Sequence, residues 1–215
     1  MIPAHHPRET SLEAYAAGTL CAGPRLVLAT HMVGCPRCRS HVRACESLGG
    51  ALLDGETPAV ISTGLLARTL AKRNAVPPPS LARARRWVPP ELTGAPAPLL
   101  ECDIGPWRFL QPGVRYSRVT LPREAKANVI LLKFGAGRRA PQHSHEGAEF
   151  TQILKGAYSD ELGLFQAGDC IEADAEIDHE PAVAGDTECI CLAAVEGKLK
   201  LHSWMGRLVQ PLLGL

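Results

Sequence analysis

Two groups of residues in this chain have the types and spacing of metal ligands. The first is His31-x3-Cys35-x2-Cys38, with His5 and His6 upstream. The second is Gly137-x5-His143-x-His145-x3-Glu149-x6-Gly156, with His179 about thirty residues further on. Thiolates combined with imidazoles suit structural zinc, whereas imidazoles combined with a carboxylate suit zinc, iron, manganese, nickel or copper. Three imidazoles and a carboxylate gathered in a core without a metal would be left unpaired at a cost of several kcal/mol. The first group offers three ligands in one short run, and His5 or His6 is the fourth.

The elements around the first group read as helices. Thr10-Ser-Leu-Glu13 has the form of a capping box, followed by Leu12, Tyr15, Ala16 and Leu20 at helical spacing. Gly23-Pro24 opens a second helix that carries Leu26, Val27 and His31 until Gly34. Cys35-Pro36 opens a third, running to about Gly49, and a fourth is expected from Thr63 to Arg73. Cys35 then sits at an N-cap with Cys38 one turn in, where the helix dipole favours thiolates, and His31 faces the same point. His41 and Cys45 fall off this pattern and read as surface and core.

The second group lies among strands. Val114–Leu121, Ala127–Phe134, Glu149–Leu154, Leu162–Phe165 and Thr187–Ala194 are short, β-rich and punctuated by Gly and Pro, the pattern of an all-β sandwich or barrel. His143, His145 and Glu149 are separated by even numbers of residues, so on extended chain they share a side, and His179 must arrive from another strand. Between the two halves, residues 74–98 hold seven prolines, which favours an extended, semi-rigid spacer.

Composition narrows the possibilities. The chain has 215 residues, 46% hydrophobic and 21% charged, enough for one or two packed domains. Its net charge of +1 is unevenly spread. Residues 1–86 carry 11 Lys/Arg against 5 Asp/Glu, and residues 87–215 carry 12 against 17. The basic half suits an acidic protein partner or nucleic acid. No apolar leader is apparent, and no stretch approaches the roughly 18–20 apolar residues of a spanning helix. Eight cysteines, two of them at metal spacing, fit a reducing cytoplasm better than a disulfide framework. The best-placed thiols look like metal ligands, which argues against a Cys-His nucleophile.

The second group matches the first cupin motif throughout, and Gly168-Asp169 through His179 resembles the second, with Glu172-Ala-Asp-Ala-Glu-Ile-Asp178 in place of the usual Pro-x-Gly. The first group resembles a zinc-binding anti-sigma domain. The combination, together with Ala16-Ala-Gly-Thr-Leu20 and Cys189-Ile-Cys191-Leu-Ala-Ala194, resembles the ChrR-type anti-sigma factors over nearly the whole chain. That resemblance implies an α+β protein of two domains. An all-α zinc-binding anti-sigma domain would span residues 1–76, a proline-rich linker 77–98, and an all-β cupin barrel 99–215. It implies a first Zn2+ on His6, His31, Cys35 and Cys38. It implies a second ion, Zn2+ or another divalent transition metal, on His143, His145, Glu149 and His179.

The implied function is regulatory, not enzymatic. The helical domain would sequester an extracytoplasmic-function sigma factor one to one in the cytoplasm, without touching nucleic acid or membrane. Its grip would come from apolar faces including Leu12, Tyr15, Leu26 and Val27. The cupin would sense singlet oxygen or organic peroxide, through its metal ligands, through Cys189 and Cys191, or elsewhere. Cys102 and Cys170 are ambiguous in this respect. The competing readings are a dioxygenase-like cupin metalloenzyme with a helical appendage, and a regulator that binds DNA through the basic half. The second lacks a row of base-reading Arg or Asn on one helix.

Overall fold

The computed structural model describes residues 2–75, 87–197 and 199–201. Helices come first: α1 (Glu9–Ala16), α2 (Ala22–Gly34), α3 (Pro36–Asp54) and α4 (Leu65–Ala75). A short 3-10 turn (Pro90–Leu92) and helix α5 (Ala97–Leu100) lead into the strands. These are β1 (Asp103–Ile104), β2 (Arg108–Gln111), β3 (Val114–Thr120), β4 (Val129–Phe134), β5 (His143–His145) and β6 (Glu149–Lys155), followed by β7 (Ala157–Asp160), β8 (Gly163–Gln166), β9 (Cys170–Ala173), β10 (Ala182–Val183), β11 (Cys189–Val195) and β12 (Leu199–Leu201).

The helix ends follow local chemistry with two departures from expectation. Pro36 occupies the first turn of α3 and the Cys35 side chain accepts from the Cys38 amide at 3.5 Å, as the spacing predicts. The helix continues past Gly49 to Asp54, because Leu, Ala and Glu around the glycine pair are good helix formers. The expected Thr10 capping box does not form. Helix α1 begins at Glu9 with Arg8 as N-cap, and Arg8 is held by Glu172 and Asp174 rather than by a local cap. A tertiary ion pair has overridden the local signal.

Among the described residues all strand pairings are antiparallel. The main sheet runs β1-β3-β4-β11-β6-β9, with β2 beside β3; β10-β7-β8 and β12-β5 form two smaller sheets. Among the described residues these ladders do not close into one ring, so the expected barrel is open. Strand β11 is buried along its whole length, with β4 on one side and β6 on the other. Its unbroken apolar run follows from coverage on both faces. The turn from β6 to β7 uses Gly156 at φ +72°, where an added Cβ would lie 2.3 Å from the Glu188 carbonyl oxygen.

Helix α2 covers the outer face of this sheet, against β6, β9, β11 and α5. Gly23 permits the approach: a Cβ there would meet Ala194 Cβ at 3.1 Å and Val129 Cγ2 at 3.2 Å. Val27 and Leu28 are completely buried in one cluster with Val129, Leu131, Phe150, Ile190 and Leu192. A second cluster fills the inner face, with Val114, Phe134, Ile153, Tyr158, Phe165, Cys189 and Cys191. The outward apolar grip expected of Leu12, Leu26 and Val27 is therefore corrected. All three are buried, and Tyr15 packs against the same cluster. Apart from Val33 on α2, the exposed large apolar side chains of the helices lie further on. Leu48, Leu52 and Leu53 on α3, Val60 and Ile61, and Leu65, Leu66 and Leu70 on α4 are all exposed.

Residues 76–86 of the expected spacer lie outside the described residues. From Trp87 the segment folds back onto the protein, burying Leu92 and Leu99. Among the described residues no helix is long and apolar enough to cross a membrane.

Because Leu28 sits between helix and sheet, Leu28→Ala is expected to cost about 2–5 kcal/mol. Chemical denaturation should show one lowered transition for helix and strand signals together. Loss of the helix signal alone would mean that α2 is not part of the common core.

Candidate metal centres

The first group converges where α2 ends and α3 begins. His31 lies in the last turn of α2, Cys35 caps α3 and Cys38 follows one turn in. His6 arrives from the extended segment before α1. Its Nδ1 is 3.4 Å from Cys35 Sγ and 3.4 Å from Cys38 Sγ. Metal bonds of about 2.3 Å to sulfur and 2.0–2.1 Å to nitrogen at tetrahedral angles place such atoms about 3.5 Å apart. One donor atom from each of His6, His31, Cys35 and Cys38 lies within 4.8 Å of the others. The structure thus brings His6, and not His5, to the thiols. His5 turns its ring to Asp169, with Nδ1 3.1 Å from Oδ2.

Each imidazole of this group is prepared for one role. His31 Nδ1 faces two acceptors, Gln152 Oε1 at 3.1 Å and the Gly168 carbonyl oxygen at 3.0 Å, so it carries the proton. Nε2 then presents a lone pair, and it is buried without a hydrogen-bond partner. Burial lowers the His31 pKa, and burial followed by the Arg37 charge lowers that of His6, both toward the neutral form that binds metal. Burial, then the neighbouring Cys35, pushes the Cys38 thiol up to about 12. A divalent cation reverses that balance by stabilising thiolate. The orphaned nitrogen, the tetrahedral spacing and the two thiols fit a closed, four-ligand metal site.

The second group meets inside the strand-rich half. His143 and His145 are on β5, Glu149 starts β6, and His179 forms an antiparallel bridge with His143. The acidic segment before His179 turns tightly, with the amides of Glu176 and Ile177 donating to the side chain and carbonyl of Asp174. The unusual second motif therefore still delivers its histidine. His143 Nδ1 donates to the Pro141 carbonyl at 2.7 Å, and His179 Nδ1 donates to Asp160 Oδ2 at 3.0 Å. As neutral rings they turn two Nε2 lone pairs toward each other at 3.1 Å, an arrangement that a shared cation relieves. His145 Nε2 is 2.6 Å from Glu149 Oε2 without the alignment of a hydrogen bond, and neither of its ring nitrogens has a hydrogen-bond partner. Burial disfavours the Glu149 charge, but His143 and His145 hold its carboxyl well below the usual range. This set fits a transition-metal ion bound by nitrogen and oxygen, which would act as a Lewis acid or redox centre when bound.

Two supporting residues escaped the sequence reading. Asp160, whose side chain is fully buried, fixes the His179 tautomer and accepts from the Leu162 amide at 2.9 Å. Thr151 donates to Glu149 Oε1 at 2.7 Å. Each lies two residues from a buried side chain on its own strand, Asp160 from Tyr158 and Thr151 from Glu149. An inward-facing polar residue was the available signal. Cys189 and Cys191 are free thiols buried in the inner cluster. Burial pushes Cys189 up to about 12 and Cys191 higher than an ordinary thiol. Thiols so protonated are poor nucleophiles, which favours packing over chemistry for this pair. Cys170 is buried with Cys35 and Cys38 in one cluster, and the Cys102 thiol donates to the Pro98 carbonyl at 3.6 Å. His41 is half-buried rather than at the surface, and Cys45 is half-buried rather than core.

Comparison with known proteins agrees with this architecture. Residues 98–198 match the family model described as the ChrR cupin-like domain. The chain is 40% identical over 215 residues, covering 96% of each protein, to the anti-sigma-E factor ChrR of Cereibacter sphaeroides. It superimposes with a TM-score of 0.72 and 35% identity on a chain in the crystal structure of Rhodobacter sphaeroides SigE in complex with the anti-sigma ChrR, covering 91% of this chain and 100% of that one. An RmlC-like cupin protein from Ralstonia eutropha gives a TM-score of 0.41 at 23% identity, over 48% of this chain and 69% of that one.

Asp160→Asn should weaken metal binding at the second centre about 10- to 100-fold, because the His179 ring loses the carboxylate that orients it. Chelator competition on the folded variant measures this, and an unchanged affinity would remove Asp160 from the site. At the first centre, a metal held by Cys38 would expel its thiol proton. Each pH unit lowered below neutrality should therefore cost at least about tenfold in affinity. Competition titrations at pH 6, 7 and 8 give the slope, and a flat profile would exclude Cys38 as a ligand.

Proposed function

The chain belongs to the ChrR family of anti-sigma factors, and from that premise we propose that its helical part sequesters an extracytoplasmic-function sigma factor one to one in the cytoplasm. In the same reading, residues 1–76 are the sigma-binding domain, 77–98 the linker and 99–215 the cupin. Zinc occupies His6, His31, Cys35 and Cys38. Zinc or another divalent transition metal occupies His143, His145, Glu149 and His179. An oxidative signal, singlet oxygen or organic peroxide, acts on the cupin and releases the sigma factor. The role is regulatory, with no turnover of a substrate.

One observation carries the reading. The second half of α3 and the whole of α4 hold large apolar side chains that nothing among the described residues covers, with Leu48, Leu52 and Leu66 each 65–70% exposed. Uncovered large apolar side chains in such number are expected of an interface rather than of a free monomer. They replace the α1 and α2 faces, which are occupied within the chain. The basic charge expected to meet an acidic partner is also partly consumed internally, since Arg8 pairs with Asp174 at 2.8 Å and lies near Glu172. Nothing in this arrangement calls for direct contact with nucleic acid or membrane.

Co-purification of the full chain with its host's sigma factors tests the reading. Stoichiometric capture is expected. The double substitution Leu52→Asp/Leu66→Asp should weaken it at least about 30-fold, the scale of losing an interface hot spot of about 2 kcal/mol. Glu149→Gln should retain capture and blunt release by a singlet-oxygen generator. Capture that survives Leu52→Asp/Leu66→Asp undiminished would locate the interface elsewhere, and absence of any sigma-sized partner would overturn the function.

A further inference from the structure

The first metal centre has two cysteines that belong to α3 and two histidines that are aimed by the strand-rich half. His31 sits on a helix, yet both acceptors of its Nδ1 proton, Gln152 Oε1 and the Gly168 carbonyl, come from β6 and the loop before β9. Gln152 is 4% exposed. Its Nε2 donates to the Ile153 carbonyl at 3.0 Å, which leaves Oε1 as the atom that faces His31. His6 is held on both sides by the same half of the protein. On one side the amides of Ala4 and His5 donate to Asp169 Oδ1 at 2.7 and 3.1 Å, and the Cys170 amide donates to the His5 carbonyl at 3.2 Å. On the other side the Arg8 amide donates to Glu172 Oε2 at 3.0 Å.

Strand β6 also begins with Glu149, three residues before Gln152. An odd separation puts them on opposite faces of the sheet. Glu149 faces the inner group of ligands, while Gln152 faces α2. Neighbouring residues confirm the sorting: Phe150 belongs to the cluster under α2 and Ile153 to the inner cluster. One strand thus presents a candidate ligand of the second centre on one face and a partner of the first centre on the other.

We propose that Gln152 is a positioning residue for the first metal centre, and that metal affinity there and docking of the helices onto the cupin-like sheet are thermodynamically linked through Gln152 and the His5–Asp169–Cys170 clamp. Gln152 fixes the His31 tautomer that turns Nε2 toward the thiols. Linkage is reciprocal, so a change that loosens the sheet from α2 weakens the metal site, and metal loss loosens the docking by the same factor. This rests on metal binding by the first group, not on the identity of any partner protein or signal.

The test uses the full-length chain loaded with Co2+ and with Zn2+. Wild type should show thiolate-to-cobalt absorption. Gln152→Leu, which removes the acceptor, should weaken Zn2+ binding at this centre about tenfold by chelator competition, the lower end of the effect of losing such a partner because Gly168 remains. Gln152→Glu, which restores an acceptor, should return affinity to within about threefold of wild type. A merely structural loss would not be rescued by that change. Independently of folding in these variants, hydrogen exchange on Zn2+-loaded wild type and on Cys38→Ser should show the Cys170 amide less protected in the latter. Wild-type affinity in folded Gln152→Leu, failed rescue by Gln152→Glu, equal Cys170 protection, or absence of the cobalt band would each overturn the proposal. Capture of a sigma factor is measured on the same wild-type sample, and its failure would overturn the proposed function while leaving this coupling intact.

Discussion

The structure depends on the seating of helix Ala22–Gly34 on the outer face of the sheet. Val27 and Leu28 have no remaining exposure, and Gly23 lets the helix backbone approach Ala194 and Val129. Short helices alone cannot bury enough apolar surface to stand independently. Here they borrow a sheet for their core. The same seating carries His31 to the end of the helix, where its ring meets Gln152 and Gly168 from the sheet side and the thiols from the helix side. Packing and ligand placement are one arrangement.

That arrangement sorts the apolar surface of the helical part into two classes. Faces near the first centre are turned inward and used for cohesion, as with Leu12, Leu26 and Val27. Beyond Val42, α3 is exposed except at the half-buried Cys45, and α4 is exposed from Leu65 to Arg73. The division follows from geometry. A helix of 19 residues rises about 28 Å, and α3 packs on α1 and α2 with its buried side chains, Cys38 and Val42, confined to its first two turns. The distal part carries the exposed Leu48, Leu52 and Leu53, whereas the proximal part holds the buried Cys38 and Val42.

The two centres differ in how their histidines are held. In the inner centre the rings are fixed by local or near-local acceptors, Pro141 for His143 and Asp160 for His179. In the outer centre the acceptor for His31 is 121 residues away in sequence. The inner group takes its ligands and their acceptors from the strand-rich half alone. The outer group takes its ligands from the N-terminal part and the acceptors of His31 from the strand-rich half. Strand β6 supplies Glu149 to the inner group and the Gln152 acceptor that faces His31 in the outer one.

Much was legible from residue type and spacing alone. Cys35-Pro36 and the Cys35/Cys38 interval specify a capped helix start with two thiols on it, because capping and dipole effects are local. Even spacing places His143, His145 and Glu149 on one side of extended chain for the same reason. The two ligand groups and the order of helices and strands therefore followed from the chain itself. Other features were settled only by tertiary contact. The start of α1 at Glu9 depends on acidic residues of the distant Glu172–Asp174 segment. The choice of His6 over His5 depends on the carboxylate of Asp169, which takes the His5 ring. The burial of Leu26 and Val27 depends on a sheet formed by residues more than a hundred positions later. Amphipathic spacing marks an apolar face, but it carries no information about whether that face meets the same chain or another. That choice is made by which surfaces the fold brings within van der Waals reach.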